Sequence, residues 1–108
     1  MSYAGGWDPK TGQVHEDLAE EIAQAFANVD LALKTAGGQG WSQVYRINMY
    51  LVVDFDEEVL GLLVENLRQA LPNHQPILTA VGVRSLALEG MRIEIEAVAH
   101  VEAGSRLP

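Results

Sequence analysis

The sequence predicts an α+β fold, a two-layer sandwich of two helices packed on one face of a mixed β-sheet. Three observations predict it. Residues 15–36 and 56–71 each carry an apolar stripe at three- and four-residue spacing, the mark of a helix with one buried face. Residues 41–53, 77–83 and 91–101 read as strands, the last with strict alternation. Two amphipathic helices need a common apolar surface, and one sheet face supplies it.

At 108 residues the chain has the length of one domain, taken as 1–108, with room for one two-layer core. A hydrophobic fraction of 48% sets it apart from disordered chains. The net charge is −8, and the seven basic residues (Lys10, Lys34, Arg46, Arg68, Arg84, Arg92 and Arg106) are scattered. An acidic chain without a basic stripe repels phosphate backbones, so no nucleic-acid partner is expected. The absence of cysteine excludes disulfides, thiolate nucleophiles and thiolate-held metals. His15, His74 and His100 lack ligand spacing, so neither a metal nor another cofactor is expected. Met1–Gly6 has no basic stretch leading into an apolar run, and no segment is long and apolar enough to span a bilayer. A soluble, cytoplasmic protein is the expectation.

Taken in order, residues 1–12 are rich in turn signals: Gly5-Gly6, Asp8-Pro9 and Thr11-Gly12. Tyr3 stands where a strand could end, with little chain before it. The first helix buries Leu18, Ile22, Phe26, Val29 and Leu33. Glu16, Asp17, Glu20 and Glu21 favour its positive end, Lys34 favours its negative end, and Gly37-Gly38 stops it. In the strand at 41–53, alternation puts Tyr45, Ile47, Met49, Leu51 and Val53 on the helix side. Val44, Arg46, Asn48, Tyr50 and Val52 fall on the other. The second helix follows a cap at Asp54 or Asp56, carries Val59, Leu60, Leu63, Val64, Leu67 and Leu71, and ends at Pro72. Trp7 and Trp41, in turn regions, are expected to anchor loops on the core. Gly37-Gly38-Gln39-Gly40 follows a helix and lacks the lysine of a phosphate loop, so no such loop is assigned.

The last strand, Met91 to Val101, shows Ile93, Ile95, Ala97 and Ala99 to the helices and Glu94, Glu96, Val98 and His100 to the other side. The second sheet face is therefore half apolar. Such a face is commonly covered by another subunit. Glu102 to Pro108 is expected to fray.

Pro76-x-x-Thr79, Val81, Leu86 and Ile93-Glu94-Ile95 together resemble the C-terminal signature of the YjgF/YER057c/UK114 family, also called RidA. Asp8-Pro9-Lys10-Thr11-Gly12, with the helix that follows, resembles that family's N-terminal half, and the likeness runs from about Ser2 to Val101. It implies a chorismate-mutase-like fold, assembled as a homotrimer with ligand sites between subunits. It also implies hydrolysis of imines and enamines such as 2-iminobutanoate and 2-iminopropanoate. Roughly two family strands that precede Asp8 have no counterpart, so the N-terminal strands are expected to be shortened.

By the same resemblance Glu94 is the catalytic candidate, orienting or activating water. Leu78 stands where imine-hydrolysing members carry the arginine that holds the substrate carboxylate. Thr79 keeps the expected hydroxyl. Ala80 replaces a frequent cysteine whose contribution is chiefly its backbone, and Ser2 aligns with a pocket serine. An aliphatic side chain cannot replace a guanidinium that binds a carboxylate through two hydrogen bonds. The sequence therefore implies an altered substrate range unless another cation faces the pocket. Arg46 is the first substitute to consider. From the residues alone it is expected instead to pair with Glu94 or Glu96 across the sheet. Three readings follow: a small-molecule hydrolase, a non-catalytic trimer that binds a small metabolite, and an endoribonuclease, which the acidic charge disfavours.

Overall fold

A computed structural model describes residues 2–100. Val101 and the tail Glu102–Pro108, expected to end a strand and to fray, lie outside the described residues. The elements are β1 (Ser2–Gly5), α1 (Leu18–Thr35), a short 3-10 helix (Gly40–Gln43), β2 (Val44–Leu51), α2 (Glu57–Ala70), β3 (Ile77–Gly82) and β4 (Ile93–Ala99). They form the expected α+β sandwich, with both helices on one mixed sheet. The strand order is β1-β4-β2-β3. β4 runs antiparallel to both its neighbours, and β2 and β3 run parallel. Among the described residues no helix is long and apolar enough to cross a membrane.

The N-terminal strand, expected to be shortened, is four residues long. Ser2 to Gly5 pairs with Ala97 to Glu94 and covers the outer edge of β4. β4 thereby has a partner on both sides.

Each helix starts where its cap dictates. Asp17 Oδ2 accepts from the Glu20 N–H at 3.1 Å, and Asp56 Oδ1 accepts from the Val59 N–H at 2.9 Å. α1 ends before Gly37, whose φ of 96° suits glycine alone. Its predicted stripe is confirmed: Ile22, Phe26, Val29 and Leu33 are buried, and Leu18 packs partly against them. Trp41 stacks on Phe26 with ring centroids 5.2 Å apart and donates its Nε1–H to the Phe26 carbonyl. α2 buries only Val59 and Leu63 of its stripe, with Leu71 just beyond its end. Leu60 and Val64 remain exposed.

Two corrections concern alternation and charge. Tyr45, expected on the helix side, is half exposed, while Val44 is buried. The register shifts between Val44 and Arg46, and this irregularity reverses the faces upstream of it. Glu21, expected to favour the positive end of the first helix, is fully buried. Its two carboxylate oxygens accept from Arg92 Nε at 2.6 Å and from the Arg92 backbone N–H at 2.7 Å. The Arg92 guanidinium also donates to the carbonyls of His15 and Glu16. A buried carboxylate is tolerated only when it is paired this fully. Asn28, also buried, donates to the carbonyls of Gly5 and Trp7. Polar groups of α1 and the start of β4 thereby tie down the N-terminal loop. Gly6 is part of that contact, since a Cβ there would meet the Glu21 carbonyl oxygen.

Candidate functional site

Strand register sorts the candidate residues onto two faces. On the face away from the helices, one row across the sheet reads Tyr3, Glu96, Asn48, Thr79. The next reads Gly5, Glu94, Tyr50, Val81, and on the other side lie Val98, Arg46 and Ile77. On the helix side the rows read Ile95, Met49, Ala80 and Ala97, Ile47, Leu78. Ser2 pairs with Ala97 on the far edge, so β4 and β2 separate it from β3. The structure thus brings Glu94, Thr79 and Arg46 to one face of the sheet and puts Leu78 and Ala80 on the other.

Glu96 is the centre of the open face. Its Oε1 accepts from Asn48 Nδ2 at 2.8 Å and from the Tyr50 hydroxyl at 3.2 Å, and Tyr3 stands opposite it on β1. Asn48 above all, then Tyr3 and Tyr50, with the Arg46 charge behind them, hold its carboxyl below the ordinary glutamate range. Both phenols are pushed up, Tyr3 first by the neighbouring Glu96 carboxylate and Tyr50 first by desolvation, so both remain protonated at neutral pH. A lowered folded-state pKa adds stability that is complete above the ordinary carboxylate range. That stability is lost as pH falls through the folded value. Natural protein should therefore be more stable than Glu96→Gln at neutral pH, and the gap should close below the ordinary glutamate range. Urea midpoints measured for both proteins at descending pH test this, and a gap independent of pH would contradict it.

Glu94 presents the opposite case. It is half-buried between Gly5 and Tyr50, and among the described residues its carboxylate takes part in no side-chain hydrogen bond or ion pair. Arg46 does not form the expected ion pair with either glutamate. It lies beside Val98, is exposed, and reaches Glu96 only through its field. It also faces away from the surface that carries Leu78, so it cannot substitute there within one chain.

On the helix side Leu78 borders a cavity of about 450 Å³ between α2, the following loop and β3. Val64, Leu67 and Leu71 form its apolar wall, and Arg68 and His74 are its ionisable groups. His74 Nε2 lies 2.8 Å from the Val44 carbonyl oxygen and donates to it. Sequence reasoning placed Asn48, Tyr50 and Glu96 on one face correctly. It missed Tyr3, whose place depends on the pairing of β1 with β4, and Arg68, whose place depends on how α2 lies over β3. Among the described residues no three His, Asp or Glu side chains gather as a metal site.

A sequence model of the family described as Endoribonuclease L-PSP matches residues 1–101. No curated protein gives a significant match. Among solved structures, RidA from an Antarctic Psychrobacter is 28% identical with a TM-score of 0.81, over 94% of this chain and 78% of that one. A member of the YjgF/YER057c/UK114 family from Mycobacterium tuberculosis is 26% identical with a TM-score of 0.73, over 93% and 75%. Escherichia coli TdcF with bound serine is 20% identical with a TM-score of 0.79, over 94% and 78%, a likeness of fold.

Proposed function

Since this chain belongs to the Endoribonuclease L-PSP family, we propose that it is a small-molecule hydrolase of the imine and enamine deaminase type. The observation that carries this reading is the contrast between the two glutamates of the open face. Glu96 already accepts from Asn48 and Tyr50, and its carboxyl is held below the ordinary range. Glu94, one row away, has no donor among the described residues and is available to a water molecule. Water adds to the C=N carbon while Glu94 takes one of its protons. Glu94 passes that proton to the imine nitrogen, then takes the hydroxyl proton of the resulting carbinolamine and delivers it to the amino nitrogen as the C–N bond breaks, leaving a carbonyl and ammonia. General acid–base work of this kind needs a carboxylate that is partly shielded but not saturated with donors.

The working unit in this reading is a homotrimer. Leu78 lies on the opposite sheet face from Glu94 and Thr79, so one copy cannot direct all three side chains into one pocket. A site between copies can. Exposed Tyr3, Ile77 and Val81 on the open face are apolar surface that a neighbour would cover. Ammonia release from freshly generated 2-aminoacrylate tests the reaction. Light scattering in the same buffer should give about three times the 11.8 kDa chain mass. Turnover no faster than buffer, both of 2-aminoacrylate and of an imine without a carboxylate, would remove the hydrolase. The reading left would be a non-catalytic metabolite-binding trimer, which apolar Leu78 favours. RNA cleavage suits a surface of net charge −8 poorly.

A further inference from the structure

The cavity beside Leu78 has a composition at odds with the rest of the chain. No aspartate or glutamate lines it, although the protein carries a net charge of −8. Its volume, about 450 Å³, lies within the range of small-molecule sites. Val64, Leu67, Leu71 and Leu78 provide a hydrocarbon wall. Arg68, from the last turn of α2, takes part in none of the ion pairs or side-chain hydrogen bonds among the described residues. His74 is oriented by its bond to the Val44 carbonyl, which leaves Nδ1 for another partner.

We propose that this cavity binds small organic acids with an apolar tail, and that Arg68 holds their carboxylate. A guanidinium matches a carboxylate through two parallel hydrogen bonds, and the tail displaces water from the leucine wall. The inference deepens the hydrolase reading, on which it rests only for its link to turnover. Arg68 would supply from the helix the charge that Leu78 does not supply from the strand.

Titration with hexanoate, followed by amide chemical shifts of the full chain, tests the site by binding alone. Hexanamide serves as the uncharged control. The expected result is shifts clustered at residues 64–78, with binding of hexanamide about 10- to 100-fold weaker. Arg68→Gln should weaken hexanoate by a similar factor, and Arg68→Lys should restore part of it. Arg68 is exposed, so both variants should keep the natural melting temperature to within a few degrees. Arg46→Gln, on the opposite face, should bind as the natural chain does. Equal binding of acid and amide, no shifts at millimolar hexanoate, or an effect of Arg46→Gln as large as that of Arg68→Gln would overturn the proposal. Absence of ammonia release would remove the hydrolase and leave a positive titration standing.

Discussion

Ile95→Asp should unfold the protein. Ile95 has no exposed surface and sits in the middle of β4, between Ala4 of β1 and Met49 of β2, facing the helices. A carboxylate there has no donor, and burying it without one costs several kcal/mol beyond the lost apolar contact. Domains of this size are stable by only about 5–15 kcal/mol, so one such change consumes most or all of that margin. Glu96→Gln, one residue along on the opposite face, keeps an acceptor for Asn48 and the phenols and should remain folded. Circular dichroism in urea distinguishes the two. Similar midpoints would mean that the register of β4 is wrong.

Glu94→Gln should lower turnover of 2-aminoacrylate by about 10²- to 10⁴-fold, the usual loss when a positioned acid–base group is removed. The amide cannot accept and return a proton, yet it preserves size. Glu94 makes no side-chain hydrogen bond among the described residues, so its loss should leave the melting temperature unchanged. Glu96→Gln should reduce turnover less, because its carboxylate is already occupied by Asn48 and Tyr50. If Glu94→Gln turned over at nearly the natural rate while Glu96→Gln did not, the base would be Glu96.

The elements were legible because their periods are long and clean. Ile22, Phe26, Val29 and Leu33 repeat over most of α1, and Ile93, Ile95 and Ala97 alternate without a break. The failures share one cause, namely contacts between distant parts of the chain. Glu21 resembles any acidic residue of a first helical turn, and only Arg92, 71 residues later, draws it inward. Tyr45 and Val44 exchange faces because a register shift leaves no mark in composition. The candidate site divides in the same way. Asn48, Tyr50 and Glu96 follow from alternation within two strands. Leu78 was placed by resemblance, but its neighbour Arg68 could be found only after α2 was laid over β3.

The position of β4 has a consequence for how the protein is made. β4 is the last strand among the described residues but lies second in the sheet, joining β1 to β2. On the ribosome, β1 therefore emerges first and has no partner until Ile93–Ala99 has been synthesised. Until then Ala4, Ile47 and Met49, all buried in the finished core, have an open flank. Closure must follow release of the last strand and joins residues more than 90 positions apart, such as Ser2 and Ala97. Such distant pairing is slow, and it leaves the nascent chain dependent on protection from aggregation until β4 has emerged.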